Sequence, residues 1–267
     1  MKIGISGMGA VGMTVAKALD RGALPGMKLA GFCARSQTRG AELNEALATP
    51  VPIYDMDAIA DHCDIVLECL PPQMFADIAR PVIDAGKTLV VLSASQLLGR
   101  EDLISRAKAT GARIVVPSGA MLAIDALKAV AVGELKSVTI KTSKPVAGLL
   151  NAPYLTKIDV DLTAIKEPYR LMAGSVTEIA KEFPANVNVA AALSLAGLGP
   201  DQTQMEVWAD PALQHNLHSV SVVSDSSDFT ATIQNRPSDE NPATGRITAQ
   251  SVIACLQQMT ATVVVGT

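Results

Sequence analysis

The stretch KIGISGMGAVGMTVAKALD, residues 2–20, decides the fold of the first half of the chain. Its apolar opening predicts a β-strand over 2–6, and the apolar spacing that follows predicts a helix over 10–20. Residues 7–12 between them form a GxGxxG pattern. In a strand–turn–helix setting this pattern is typical of a dinucleotide-binding loop.

Each glycine of this loop has a distinct expected role. Gly7 would allow the tight turn, Gly9 would let the backbone approach a pyrophosphate, and Gly12 would let helix and strand pack closely. The backbone N–H groups of Ala10 and Val11, at the start of the helix, would face the phosphates at its positive end. The alternative is a tight turn that binds nothing, but the surrounding pattern favours a dinucleotide.

Apolar runs and helix-period segments alternate as far as residue 118. Continuous Val, Ile and Leu runs indicate strands covered on both faces, and the alternation with helices indicates right-handed crossovers. We therefore predict an α/β protein whose N-terminal part is a doubly wound parallel sheet of the Rossmann type. Further strands are predicted at 28–34, 64–70, 88–93 and 113–118, with a weaker one at 51–54, and helices at 37–47, 73–85 and 100–110.

The rhythm changes after residue 118, which predicts a second, smaller mixed α/β sheet domain. Three strands near its end have short connections, and we expect them to be antiparallel neighbours. The first domain is predicted to cover 1–119, the second 120–240, and the C-terminal helix within 241–267 is expected to complete the first. The predicted elements are helices at 121–132, 174–183, 187–197 and 242–259, and strands at 136–144, 202–210, 216–224 and 228–236.

Composition narrows the function classes. The chain has 267 residues, of which 49% are hydrophobic and only 3% aromatic, as expected for aliphatic helices packed on a buried sheet. The net charge of −4, without any Lys/Arg cluster, argues against nucleic acid or an anionic membrane as a partner. No apolar run reaches about 18 residues, so we expect no transmembrane helix.

We expect a cytoplasmic protein. The N-terminal residues already form a predicted strand and turn, which argues against a signal peptide. The four cysteines show no CxxC pairing and are read as free thiols of a reducing compartment, namely Cys33, Cys63, Cys69 and Cys255.

The end of the second predicted strand bears on the choice of cofactor. An acidic residue there would bond the ribose 2′-hydroxyl of NAD, whereas a basic residue accommodates the 2′-phosphate of NADP. Residues 34–39 contain no carboxylate, and Arg35 and Ser36 could donate to a phosphate, with further donors in Thr38 and Arg39. We predict NADP and leave NAD open, the alternative being a solvated helix start.

Two loops should border the nicotinamide end of the cofactor. Residues 69–72 and 92–95 follow predicted strands, and the carboxyl ends of such strands line the ligand crevice of a doubly wound sheet. Leu70 and Pro71 are therefore candidate cofactor contacts, and the alternative for Pro71 and Pro72 is that they shape the loop and do not contact the reacting atoms.

Two of the three histidines, His215 and His218, lie three residues apart. A metal site from this pair is not expected, because side chains three apart on a strand point to opposite faces and no further ligand accompanies them. His218 falls inside a predicted strand and His215 in the loop before it. From the residues alone, His218 is either a catalytic acid–base or a histidine bonded to a backbone carbonyl.

Four blocks in the second half of the chain carry a family resemblance. They are PSGAMLAIDALKA at 117–129, FPANVNVAAALSLAGLGPDQT at 183–203, ADPALQHNLH at 209–218 and NRPSDENPATG at 235–245. In this order, and with the glycine loop, they resemble the L-aspartate dehydrogenases over nearly the whole chain. The resemblance implies interconversion of L-aspartate and iminosuccinate, or oxaloacetate plus ammonia, which can feed NAD biosynthesis. It also implies a homodimer whose second domain carries the dimer contact and most of the pocket for a small dicarboxylate.

The resemblance assigns roles to single residues. His218 would be catalytic, and Ala120 and Asn188 would contact the cofactor. Lys144 matches a basic residue of the family, and Asn241 and Thr244, which precede the last helix, are candidates for holding a substrate carboxylate. One departure is Gln96, in Ser93–Leu97, where the family commonly has a small residue.

Two alternatives remain open from the sequence. One is a related reductase or imine reductase of the same architecture that acts on another small amino or oxo acid. The other is an NADP-binding sensor without catalytic activity, against which His218 argues.

Overall fold

The computed structural model describes residues 1–184, 187–238 and 245–267. It divides the chain into two compact units. The first comprises Met1–Gly119 with Thr248–Val264, and the second comprises Ala120–Ile247 with Val265–Thr267.

The described residues of the first unit form a six-stranded sheet in which every strand is parallel to its neighbours. The strand order β3-β2-β1-β4-β5-β6 is that of a dinucleotide-binding fold, with its switch point between β1 and β4. The predicted Rossmann-type α/β class is confirmed. The strands are β1 (Lys2–Ser6), β2 (Lys28–Cys33), β3 (Ile53–Tyr54), β4 (Ile65–Glu68), β5 (Thr88–Val91) and β6 (Arg113–Val115).

Helices connect these strands, as the alternating pattern predicts. Leu19 of the first helix, Ile3 and Ile5 of β1 and Leu67 of β4 belong to one core of nearly inaccessible aliphatic side chains. Full burial of each such side chain is worth about 1.5–3 kcal/mol. The helices are α1 (Ala10–Asp20), α2 (Gln37–Asn44), α3 (Ile59–His62), α4 (Phe75–Asp84) and α5 (Glu101–Thr110).

The second unit contains a five-stranded sheet in the order β11-β10-β7-β9-β8, alongside three helices of its described part. The strands are β7 (Leu135–Pro145), β8 (Tyr169–Ser175), β9 (Gln204–Asp210), β10 (Leu217–Ser224) and β11 (Phe229–Gln234), and the helices are α6 (Ile124–Val130), α7 (Val176–Glu182) and α8 (Asn188–Ala196). The last helix, α9 (Arg246–Gln258), places Val252 and Leu256 in the core of the first unit.

The prediction of three consecutive antiparallel neighbours is wrong in one respect. β10 and β11 pair as predicted, but β7 lies between β9 and β10 and is parallel to β9. The reason is geometric: the six-residue connection at 211–216 can reach across the roughly 10 Å that separate two strands flanking a third. A short connection between β9 and β10 therefore does not require the two strands to be neighbours in the sheet.

A strand is also missing from the prediction. β8 lies between the strand predicted at 136–144 and the one predicted at 202–210, where no strand was predicted, and it pairs antiparallel with β9. Its last residue, Ser175, is the N-cap of α7 and forms a capping box with Glu178, so the helix begins two residues later than predicted.

Side chains on β10 alternate between the two faces of the second sheet. His218, Val220 and Val222 share the buried face, whereas Ser221 and Val223 are exposed. His218 is thus held on the core side of a central region of the sheet. Among the described residues, no helix is both long and apolar enough to cross a bilayer.

Candidate functional site

The glycine loop of the first unit has the geometry that phosphate binding requires. Gly7 has φ of +100°, and a Cβ there would lie 2.4 Å from the carbonyl oxygen of Cys69. A Cβ on Gly12 would lie 2.0 Å from the Gly7 carbonyl oxygen. A Cβ on Gly9 would meet no heavy atom of the described residues within 4 Å beyond its chain neighbours. Two glycines are therefore needed by the fold itself, and the third leaves room for a ligand against the backbone.

The start of α1 is oriented for an anion. Gly9 is the N-cap of this helix and has no side chain. No side-chain oxygen at this position therefore accepts a hydrogen bond from the first N–H groups of the helix, which include those of Ala10 and Val11. Val11 also packs against the core of the unit. These features fit the pyrophosphate of a dinucleotide.

The segment after β2 places its basic residues at the surface. Arg35 is exposed, while Ser36 caps α2 by accepting a bond from the Arg39 N–H at 3.2 Å. The Arg39 guanidinium lies 2.7 Å from the Glu42 carboxylate, three residues along the helix. Arg35 is therefore the better placed of the two arginines for an incoming phosphate.

The loops after β4 and β5 meet around a buried acid. Glu68, the last residue of β4, is fully inaccessible and accepts bonds from the backbone N–H groups of Leu70, Leu92 and Ser93. Pro71 then caps the single turn that leads into α4. Gln96 lies in a short turn over Ala94–Leu97, where its N–H donates to the Ser93 carbonyl.

In the second unit, three polar side chains lie on one face of two neighbouring strands. His218 on β10 pairs in register with Thr142 on β7, and Lys144 follows two residues later on the same face. The His218 Nδ1 lies 3.0 Å from the Thr142 Oγ1, and both residues are buried. The partner of this nitrogen is therefore a hydroxyl and not the backbone carbonyl of the alternative interpretation.

Burial shifts the ionisation of this cluster. It lowers the pKa of His218 to about 4, with a further lowering from the charge of Lys144. Burial also lowers the pKa of Lys144 to about 8. At neutral pH the cluster consequently holds a neutral imidazole and an ammonium group that is still mostly protonated.

His215 lies in the loop before β10, as predicted, and its buried Nδ1 makes no hydrogen bond to any of the residues that the structure describes. Throughout the described ranges, no cluster of three or more His, Cys, Asp and Glu side chains could hold a metal ion.

The remaining candidates occupy different parts of the second unit. The Ala120 carbonyl accepts a bond from the Asn235 Nδ2 at 3.1 Å, while Asn188 is the first residue of α8. Ala123 has a φ of +66° and is the only non-glycine residue with a positive φ among those described. This left-handed backbone conformation is energetically unfavourable for a residue with a Cβ. Asn241 and Thr244 lie outside the described residues.

The comparisons with known proteins agree over the whole chain. The family model described as aspartate dehydrogenase, C-terminal, matches residues 125–259, and the one described as homoserine dehydrogenase, NAD binding domain, matches residues 7–117. L-aspartate dehydrogenase 3 of Bordetella bronchiseptica is 44% identical over 265 residues, covering 99% of this chain and 97% of that protein. The chain belongs to the L-aspartate dehydrogenase family.

Two further relatives support the assignment. L-aspartate dehydrogenase of Bradyrhizobium diazoefficiens is 42% identical, covering 100% of this chain and 94% of that protein. The crystal structure of aspartate dehydrogenase from Thermotoga maritima superposes with a TM-score of 0.75 at 25% identity, covering 100% of this chain and 99% of that one. As a member of the L-aspartate dehydrogenase family, the protein is an oxidoreductase of the amino-acid dehydrogenase type with a nicotinamide-binding domain.

Sequence reasoning missed three polar residues around these sites. Glu68 lies in an apolar run and was not singled out. An acidic residue inside the predicted strand at 64–70 could nevertheless have indicated a buried polar site. Thr142 and Asn235 gave no local signal, because their importance depends on partners that are distant in sequence.

Proposed function

We propose that the protein is an NAD(P)-dependent L-aspartate dehydrogenase. It would interconvert L-aspartate and iminosuccinate, with oxaloacetate and ammonia as the hydrolysed products. The observation that carries the proposal is the buried, hydrogen-bonded His218 beside Lys144, in a chain that shares 44% of its residues with an L-aspartate dehydrogenase over 99% of its length.

His218 would move the proton. Oxidation at Cα requires a base for the ammonium proton of the substrate, and a neutral imidazole with a free electron pair on Nε2 can serve. If Nδ1–H donates to the Thr142 hydroxyl, Nε2 is left as the acceptor. In the reverse direction the same nitrogen returns the proton.

The low pKa of His218 determines under which conditions its imidazole could accept the substrate proton. A value of about 4 makes the imidazole a weak base in the free protein. A dicarboxylate bound nearby would add negative charge, which favours the imidazolium and raises the pKa toward neutrality. His218 would therefore become an effective base only when an anionic substrate is in place.

Lys144 would bind a carboxylate of that substrate. With a pKa of about 8, its ammonium group still carries its charge at neutral pH, and its burial strengthens attraction to an anion. Asn241 and Thr244 remain candidates for holding the substrate on the basis of the sequence alone.

The cofactor would be held mainly by the first unit. A bound nicotinamide would supply the hydride acceptor for oxidation at Cα. The glycine loop would bind its pyrophosphate, and the loop after β4 would border its ring. The proposed cofactor contacts are Gly7, Gly9, Ala10, Val11, Gly12, Arg35, Ser36, Leu70, Pro71, Ala120 and Asn188.

NADP is the cofactor that we propose, with NAD as the alternative. The exposed Arg35 follows β2 directly, and no carboxylate lies in residues 34–39 to bond a ribose 2′-hydroxyl. A guanidinium can bind a 2′-phosphate through two parallel hydrogen bonds.

We further propose a cytoplasmic homodimer whose product can feed NAD biosynthesis. Its four cysteines are free thiols, as a reducing compartment maintains them. The partly exposed face of the second sheet carries Trp208 with Lys141 stacked 4.1 Å from its ring, and such aromatic residues are enriched at interfaces. Light scattering during gel filtration would measure the mass, and a monomer at all concentrations would contradict the dimer.

The function is tested by one panel of assays. L-aspartate, other amino acids, and oxaloacetate or other 2-oxo acids with ammonia are each supplied with NADP or NAD, and the nicotinamide absorbance is followed. The highest kcat/KM is expected for L-aspartate with NADP. A clearly better substrate of another class would favour a related reductase, and cofactor binding without any turnover would favour a sensor.

A further inference from the structure

Glu68 is the best-connected buried charge among the described residues. It is fully inaccessible, and its two carboxylate oxygens accept four hydrogen bonds from two loops. Oε1 accepts from the Leu70 N–H at 2.9 Å and the Ser93 hydroxyl at 3.0 Å. Oε2 accepts from the Ser93 N–H at 3.0 Å and the Leu92 N–H at 3.2 Å.

The position of Glu68 in the fold connects it with the cofactor. Glu68 ends β4 and pairs in register with Ser6, the last residue of β1, so it lies at the switch point of the sheet. Ligands of doubly wound sheets bind in the crevice outside the carboxyl ends of the strands at this point. The next residue, Cys69, places its carbonyl against Gly7 of the glycine loop.

The hydrogen bonds indicate what the carboxyl group does. Three of its four partners are backbone N–H groups, which can only donate, and a carboxylate is the acceptor-only form of the side chain. Burial raises the pKa of Glu68, and the four donors oppose that shift by stabilising the charged form. The carboxylate therefore fixes the loops after β4 and β5 to one another and carries a negative charge under the crevice.

We propose that Glu68 is a positioning residue for the nicotinamide end of the cofactor, and that its buried charge favours the oxidised, positively charged ring over the reduced, neutral ring. This rests on the proposed nicotinamide site. In general, two unit charges about 10 Å apart at an effective dielectric constant of about 20 interact strongly enough to change relative binding on the order of tenfold. Backbone groups of the two loops would hold the ring, while Glu68 biases which redox form they hold.

Binding measurements test the charge directly. Dissociation constants for NADP⁺ and NADPH, and for NAD⁺ and NADH, are measured by fluorescence titration on the full chain. Glu68→Gln removes the charge at nearly constant shape and should decrease the preference for the oxidised form on the order of tenfold. The matched control, Ser93→Ala, removes the hydroxyl that donates to Glu68 and to the Leu70 carbonyl and keeps the charge, so its ratio of oxidised to reduced affinities should equal that of the wild type.

The outcomes separate clearly. A loss of structure alone would weaken both redox forms equally, so an unchanged ratio in a folded Glu68→Gln variant would overturn the proposal. If that variant does not fold, Glu68→Asp is used, because it keeps the charge on a shorter side chain. The dissociation constants for the oxidised and the reduced cofactor should then rise by the same factor. A decreased ratio in Glu68→Asp would also overturn the proposal. Failure of every cofactor to bind the wild type would instead refute the proposed function.

Discussion

The glycine loop of the first unit and the histidine cluster of the second bring functional groups together in different ways. The loop uses backbone atoms of six consecutive residues, Gly7 to Gly12, and its geometry follows from residues that lack a Cβ. The cluster uses side chains from β7 and β10, and its hydrogen bond joins residues 76 positions apart. A site built from backbone atoms therefore depends on a short local pattern in the sequence, whereas a cluster of side chains depends on two strands being brought into register.

The largest expected effect is at His218. His218→Asn should lower kcat for L-aspartate by roughly 10²–10⁴-fold, because it removes the proposed acid–base group. The dissociation constant for the cofactor should change little if the two regions work independently. His215→Asn is the control, and it should retain kcat within about twofold. An unchanged kcat in His218→Asn would show that the second region does not move the proton.

The same histidine should affect stability through pH. In the unfolded chain it takes up a proton near pH 6.5, whereas in the folded chain it does so only near pH 4. The unfolded state therefore binds more protons between these values, and the free energy of unfolding should fall by about 3 kcal/mol as the pH drops through this window. Urea unfolding of wild type and His218→Asn from pH 7 to pH 4 would isolate this contribution. If the free energy of unfolding fell equally with pH in the two proteins, the imidazole would not be held neutral in the folded state.

The glycine loop should respond to substitution by position. Gly9→Val adds a side chain whose Cβ would meet no described heavy atom within 4 Å beyond its chain neighbours, so the fold should persist while the cofactor Kd rises on the order of 100-fold. Gly12→Ala places a Cβ 2.0 Å from the Gly7 carbonyl, so it should lower the Tm. Calorimetry and cofactor titration of both variants distinguish the two effects. Gly9→Val with wild-type affinity would refute the backbone cradle.

Arg35 should affect the choice between cofactors and leave catalysis intact. Arg35→Asp should raise KM for NADP by roughly tenfold or more, since the proposed charge-assisted contact to the 2′-phosphate would be replaced by repulsion. KM for NAD should change little. Equal changes with both cofactors would remove the argument for a 2′-phosphate site. Arg39→Asp is the comparison variant, and it should raise KM for NADP less than Arg35→Asp because the Arg39 guanidinium is paired with Glu42.

The smallest effect is expected at Thr142. Thr142→Val keeps the shape but loses the hydroxyl that orients His218, and should lower kcat by about five- to tenfold with a changed pH profile. Thr142→Ser keeps the hydroxyl and should recover most of the activity. If Thr142→Ser is as impaired as Thr142→Val, the effect comes from packing and not from the hydrogen bond.

Much of the fold could be predicted because its signals are local. The strand–loop–helix unit at residues 2–20 follows from apolar period and glycine spacing, and the structure has both elements at the predicted bounds. The order of strands in the second sheet could not be predicted in the same way. Its central strand, β7, comes before β9 and β10 in the chain and separates them in the sheet, so nothing in the short connecting loop reveals it.

The sequence by itself determined the Rossmann-type first unit, the glycine loop and the family, because these depend on patterns within short segments and on ordered blocks along the chain. Only the tertiary structure decided the partners of the polar groups. It placed Thr142 against His218 and joined Glu68 to Ser93, 25 residues away, because parallel and antiparallel pairing brings distant strands into register. Whether a buried histidine or glutamate is charged depends on those partners and on its burial. Neither the partners nor the burial can be predicted from the residues that flank it in the sequence.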